Sequence, residues 1–369
     1  MNRTTWIWVV AALSVAILAS AAPAEDGLTT ALAMIPADLQ DTLISYTDWH
    51  AIKTEMGVPW LTSKASEDVR IGFAVEMSKR HAVASGYGLQ WLRVHAASWG
   101  FDSTDLLWEA NVLGGGLPFV YLLRLRDGFD MAGLTARFIE RGFTQTESFG
   151  ATIYSHAMDV RSEWVRTTEL SIHNTAVFAE EHLLVLSSSP SALDLYVRAK
   201  AGVLPTLSTA SELKPLFDSL DSSLAAHVLL GASTCLRFNP NPLLEAASGG
   251  LDEEEIAALR AWIASGDPLH AYVGLAVGYR YEGSAPSGLF SFLYASEDDA
   301  QADLAPRRLL ATTGSSTVSE KPVSETYFVL ADAWVDETLL CLVGYPVNGQ
   351  PSRLFRAILY ADAPFAACR

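Results

Sequence analysis

Two stretches decide how this sequence is read. Residues 180–186, Glu180-Glu181-His182-Leu183-Leu184-Val185-Leu186, lead to Pro190-Ser191-Ala192-Leu193. Residues 336–342, Asp336-Glu337-Thr338-Leu339-Leu340-Cys341-Leu342, lead to Pro351-Ser352-Arg353-Leu354. Each reads as an acidic turn, a buried strand and a helix start with proline in the first turn, where a missing N–H does no harm. The second copy carries five extra residues between its two pieces.

Working outward, the order of elements repeats. Strands are expected at 106–112 and 119–125, with Gly114-Gly115-Gly116 turning the chain between them. Asp130 caps a helix whose Leu134, Phe138 and Ile139 share a face, and Gly142 ends it. Strands follow at 152–156, 175–179 and 183–186, then a helix capped by Ser189. The later half offers strands at 271–281 and 289–295, an acidic helix start at 297–299, strands at 326–330 and 339–343, and a helix near 352–360. Between the halves lie helical stretches at 211–220 and 252–264, a strand at 226–235, and the rigid turn Asn239-Pro240-Asn241-Pro242.

Ahead of the first half, a strand at 42–46 precedes a short helix capped by Asp48. Residues 66–98 then read as helix, broken at Gly86-Tyr87-Gly88, with Val69, Phe73, Val75 and Met77 starting an apolar stripe. The expected fold is therefore α+β: two related halves of mainly antiparallel sheet with packed helices, residues 25–202 and 203–369, preceded by a short helical segment.

Residues 1–24 form a targeting segment. Arg3 is its only charge, an apolar run spans 6–19, and Ala22-Pro23-Ala24 matches a small-residue cleavage site. Cleavage is expected after Ala24, with Ala19-Ser20-Ala21 as the alternative site and an uncleaved anchor helix as the alternative fate. No later stretch reaches the roughly 18 apolar residues of a membrane span.

Composition limits the function classes. The chain of 369 residues is 50 % hydrophobic and 18 % charged, which excludes a disordered protein. Its net charge of −17 and lack of a basic run exclude phosphate-backbone recognition of nucleic acid. In an exported protein three cysteines imply a pair and a remainder. Cys235 and Cys368 are the expected disulfide, with Cys341 as core filler; three buried thiols are the alternative.

Catalytic signatures are missing. Gly231-Ala232-Ser233-Thr234-Cys235 fails the G-x-S-x-G pattern at its last position, and no zinc-spaced Cys/His set or phosphate-binding glycine loop occurs. No metal and no cofactor is expected. The eight histidines are scattered, with none spaced i, i+4. The densest polar and aromatic stretch is 99–110. It supplies the candidate binding residues Trp99, Asp102, Asp105, Trp108 and Glu109: indoles to stack on a ligand and carboxylates to orient it. The same residues also suit core filling (the tryptophans) and turn capping (Asp102).

At these residues a resemblance enters. Ile35-Pro36-Ala37-Asp38, Thr47-Asp48-Trp49 and Ile52-Lys53 resemble the start of a group of uncharacterised exported bacterial proteins. The segments at 99–110 and 181–189 are similar to theirs, so the resemblance spans 35–189. It implies an exported, non-lipidated bacterial protein and implies no site.

The leading expectation is a non-catalytic exported protein that binds a small ligand or an envelope protein partner, in the periplasm or at the cell surface. A secreted hydrolase, with a site assembled from distant carboxylates and histidines, is the alternative. An anchored envelope protein is the third class.

Overall fold

The computed structural model describes residues 27–84, 92–156, 170–231, 234–235, 269–316 and 318–368. The expected targeting segment and Trp91, together with the break at 86–88, the turn at 239–242 and the helix at 252–264 expected from the sequence, lie outside the described residues. The chain opens with α1 (Gly27–Leu32) and β1 (Thr42–Asp48). Helices α2 (Trp49–Glu55), α3 (Glu67–Arg80) and α4 (Leu92–Ser98) precede β2 (Leu106–Leu113) and β3 (Val120–Leu125). α5 (Met131–Glu140) leads to β4 (Thr144–Ser148), β5 (Ala151–Ser155), β6 (Asn174–Phe178), β7 (Leu183–Ser187) and α6 (Pro190–Lys200). α7 (Lys214–Asp218), β8 (Ala225–Leu230), β9 (Gly274–Glu282) and β10 (Ala285–Leu293) follow. α8 (Glu297–Thr313), α9 (Val323–Thr326), β11 (Phe328–Asp336), β12 (Leu339–Pro346) and α10 (Ser352–Leu359) complete the order.

The caps are those the side chains favour. Asp48 accepts from the Ala51 N–H at 2.7 Å and Asp130 from the Gly133 N–H at 2.9 Å, while Ser189 accepts from the Ala192 N–H at 3.3 Å with Pro190 in the first turn.

All twelve strands belong to one antiparallel sheet, ordered β11-β12-β10-β9-β8-β1-β2-β3-β7-β6-β5-β4. Strands from 25–202 and from 203–369 thus share a sheet and join at β1–β8, in register from Thr42 opposite Leu230 to Thr47 opposite Ala225. Outward from that pair the order runs β1, β2, β3, β7, β6 and then the extra hairpin β5, β4 on one side, and β8, β9, β10, β12, β11 on the other.

Helices cover both faces of this sheet. Face A carries the cluster of Trp49, Phe73, Phe138, Phe290 and Phe355, contributed by α2, α3, α5, β10 and α10. Face B carries Leu28, Trp108, Tyr196, Leu216 and Val228, from α1, β2, α6, α7 and β8. Double cover explains why β6, β7 and β8 are buried at every position, including the polar Asn174, Thr175, Ser187 and His227 within them. The two edges differ. β4 is polar and exposed, whereas β11 is nine residues long, carries exposed Val329 and Trp334, and is interrupted by a bulge between Leu330 and Asp332.

Several expectations change. The helical segment does not precede the sheet: β1 comes first and takes a central place, so α2 to α4 form a long connection from β1 to its antiparallel neighbour β2. Val69, Val75 and Ile139 are exposed, because the buried arcs of α3 and α5 are narrower than the apolar pattern. The strand at 226–235 stops at Leu230, where Gly231 turns out at φ 118° against Asp41. Thr326 belongs to α9, and β11 starts at Phe328.

The disulfide joins Cys235 to Cys368, with Cα atoms 5.3 Å apart, and Cys341 is free and buried. Arg307 holds the same C-terminal tail from α8. Its guanidinium donates to the carbonyls of Phe365 at 2.7 Å, Ala367 at 3.0 Å and His270 at 3.0 Å, and pairs with Asp303 at 2.9 Å.

Candidate functional site

The five residues from the 99–110 stretch are spread through the core. Trp99 is fully buried between Phe138 and Phe143, with the Arg141 guanidinium 4.8 Å from its ring centre. Asp102 caps the turn at 103–105, accepting from the Thr104 N–H at 2.8 Å, and forms an ion pair with Arg70. Burial pushes the Asp102 carboxyl upward, against the opposing pull of Thr104 and Arg70. Asp105 accepts from Arg126 Nε at 3.0 Å. Lys53 sits beside both carboxylates and donates to the carbonyls of Thr104 at 2.7 Å and Leu106 at 3.2 Å. Burial brings its amine down to about 8, partly offset by the Asp105 charge. These acids are tied to cations that hold the β2 entry in place.

Trp108 and Glu109 are neighbours on β2 and so point to opposite faces. Trp108 lies on face B near Tyr46, over Gly27, where a Cβ would come within 2.4 Å of the indole. Glu109 is fully buried and pairs across the strands with Thr47 and Leu123, the latter a face A residue. The stretch therefore forms no single cleft, and none of the five residues lines the face B groove of the second half or the two hollows at Gly27–Ser223 and Asp38–Leu195.

A nucleophile–base contact does occur elsewhere. Ser45 Oγ lies 2.8 Å from His227 Nδ1, on adjacent central strands. Both are buried and line none of the grooves; the Phe355 ring stands edge-on to the imidazole at 4.7 Å. Burial lowers the His227 imidazole to about 4.

A groove lies on face B of the second half. α6 packs Ala192, Leu193, Tyr196 and Val197 onto face B over β6 and β7. α10, which follows β12 as α6 follows β7, lies on face A instead, with Leu354 seated over Gly288. A Cβ at Gly288 would fall 2.5 Å from Leu354 Cδ1, so glycine permits this seat. Face B of β9, β10 and β12 thus lacks a helix in the place that α6 takes over β6 and β7; α7 packs there against β9 and β10, and Ser287, Ser291, Leu293, Leu339 and Cys341 are buried. α7 lies along one side, pressed onto β9 because Gly274 and Gly278 have no Cβ to meet Leu216 and Ser223. Trp334 of β11 rises on the other side, opposite Cys341 in register.

Between these walls is a groove of about 630 Å³. Leu289, Leu339 and Val343 give it an apolar floor, and small residues (Gly278, Ser287, Cys341) give it depth. Ser287 is buried, lines the groove, and makes no side-chain hydrogen bond among the described residues. The Cys341 thiol is raised to about 11 by burial and contacts Ser291 Oγ at 3.7 Å. It stays protonated at neutral pH and is a poor nucleophile.

The rim charges are unevenly compensated. Lys214 pairs with Asp218 at 2.5 Å, and Arg280 pairs with Glu282 at 3.3 Å. Asp336 and Glu337, at the β11–β12 turn, have no cationic partner among the described residues. No imidazole lines the groove. Among the described residues no group of three or more His, Cys, Asp or Glu is placed to hold a metal ion, and no helix is long and apolar enough to cross a membrane.

The groove residues were not among those singled out in the sequence. A partial signal was present: on β10, Phe290 and Phe292 lie on face A, while face B mixes Ser287 and Ser291 with Leu289 and Leu293. The two serines set small polar residues into an otherwise apolar face.

No protein-family model matches the sequence, and no curated protein matches it. Among solved structures the chain is similar to TP0453, a Treponema protein. Crystal form I aligns with a TM-score of 0.38 and 10 % identity over 89 % of this chain and 96 % of that one. Crystal form III gives a TM-score of 0.37 and 10 % identity over 88 % and 97 %.

Proposed function

We propose that this chain is an exported, non-catalytic binding protein that holds a small amphipathic ligand in the groove between α7 and β11. The observation that carries this reading is the groove on face B of β9, β10 and β12, with its apolar floor and polar rim. Its volume falls within the roughly 300–1,000 Å³ of small-molecule sites. A lining with no imidazole and a protonated thiol suits binding better than bond making. The hydrolase alternative has the Ser45–His227 contact in its favour, but that pair is buried against Phe355 and lines none of the grooves.

Export to the periplasm or the cell surface is supported by the targeting pattern of residues 1–24 and by the resemblance to exported bacterial proteins over 35–189. We infer further that the halves 25–202 and 203–369 arose by duplication. Support comes from the matching strand order outward from β1–β8 and from the local match of 180–193 with 336–354. On that reading the groove exists because α10 departed from the face that its counterpart α6 kept.

Two measurements test the function. The chain is exported from a bacterial host and weighed under native and then denaturing conditions. A mature mass starting at residue 25, with a stoichiometric bound species under native conditions, is expected. Separately, the apolar dye N-phenyl-1-naphthylamine is titrated into the protein and into Val343→Trp, which fills the groove. Saturable fluorescence that Val343→Trp abolishes without changing the melting temperature is expected. Equal dye binding by both proteins would place the site elsewhere, and no binding by either would end the small-ligand reading.

A further inference from the structure

We propose that the ligand is a cationic amphiphile, an ammonium or amidinium head on an apolar chain or ring, and that its head lies at the β11–β12 turn. This rests on the binding reading above and assigns the ligand's charge and orientation. Along β10, the groove runs from the Ser287 level to the Leu293 level, about 20 Å at roughly 3.4 Å per residue. Its two ends differ. At the Ser287 end the cation Arg280 is already paired with Glu282. At the other end Asp336 faces Leu339 in register, with Glu337 next in the turn, and neither meets a cation among the described residues.

Three features at that end favour a positive group. Two neighbouring carboxylates present uncompensated charge at the mouth of an apolar groove, where a cation is held more strongly than in open water. Trp334, 40 % exposed, is two residues from Asp336 on the same face of β11, where an indole can take an alkylammonium. The net charge of −17 draws cations toward the protein and repels anionic amphiphiles. The chain of such a ligand would lie over Leu339, Val343 and Leu289 toward Ser287, whose buried hydroxyl faces the groove without a partner among the described residues.

The test uses three probes with one chain length and three heads: decyltrimethylammonium, decyl maltoside and decyl sulfate, each below its micelle concentration. Affinities are read by calorimetry on the whole protein and on Asp336→Asn/Glu337→Gln, both exposed positions outside the packed core. The ammonium probe is expected to bind at least tenfold more tightly than the sulfate. The preference should shrink with added salt and fall to about onefold in the double variant, which keeps its affinity for the neutral probe. If the neutral probe binds and the ammonium shows no preference, the charge assignment is overturned while the binding reading stands. If no probe binds, both are overturned.

Discussion

Ser45 Oγ and His227 Nδ1 meet at 2.8 Å across β1 and β8, the strand pair through which the two halves of the chain become one sheet. The contact joins two polar groups inside the sheet, at its central seam. Because His227 is fully buried, its imidazole is held neutral, down to about 4.

Stability should therefore depend on pH. An unfolded chain takes up a proton at His227 near pH 6.5, and the folded one only near pH 4. Stability from this group is complete above about pH 6.5 and falls as the pH drops toward 4, by up to roughly 1.4 kcal/mol per pH unit. His95, lowered by burial to about 3, acts in the same direction. Urea unfolding of wild type and His227→Gln between pH 7 and pH 4.5 should show a slope shallower by nearly one proton in the variant. Identical slopes would refute the assignment.

The Cys235–Cys368 disulfide closes a loop across a sequence separation of 133. Chain-entropy arguments give such a link about 5 kcal/mol at most. Alkylation of the unfolded, unreduced chain should modify Cys341 alone, and prior reduction should expose all three cysteines. The Cys235→Ser/Cys368→Ser chain should unfold at markedly lower urea.

Arg307 is fully buried and makes the tail contacts that the disulfide reinforces. Arg307→Ala would leave Asp303 buried without its cation, a loss of about 3–5 kcal/mol. Lysine cannot reproduce the forked donation to two carbonyls, so Arg307→Lys should recover little of it. Hydrogen exchange at 365–368 should rise in both variants, and unchanged protection would count against the clasp.

Cys341 reports on the groove. With its thiol raised from 9.0 to about 11, its thiolate fraction at neutral pH is about a hundredfold below that of an ordinary cysteine. Alkylation of the folded protein should be slow and should accelerate with pH. Bound decyltrimethylammonium should slow it further.

The candidate residues at 99–109 should act through stability. Arg70→Met leaves the Asp102 carboxylate buried without its cation and should cost about 3–5 kcal/mol. Dye affinity in the groove should be unchanged in the fraction that remains folded. A selective loss of affinity would return these residues to the binding site.

Much of this protein is readable from local pattern. The helix at 190–200 follows from Ser189 and Pro190, the turn at 114–116 from its glycines, and the buried strand at 183–187 from its apolar run, whereas the strand expected at 226–235 ends at Leu230. The Cys235–Cys368 link follows from a count of three and from the position of Cys341 within a strand. These signals are short-ranged: a cap, a turn or an alternation is set by neighbours within a few residues. Which face a helix finally covers is not of that kind. The matched segments at 180–193 and 336–354 both make a strand and then a helix, yet α6 packs on face B and α10 on face A. The choice turns on contacts such as Leu354 over Gly288, between residues 66 positions apart. The sequence by itself thus determined most of the elements and the acidic character, and it favoured the Cys235–Cys368 pair over three free thiols. Only the tertiary structure decided that twelve strands share one sheet, that the 99–109 cluster is divided between its two faces, and that a groove stays open over β9, β10 and β12. Packing two faces of a sheet is a competition among distant segments for the same apolar surface, and no local pattern records its outcome.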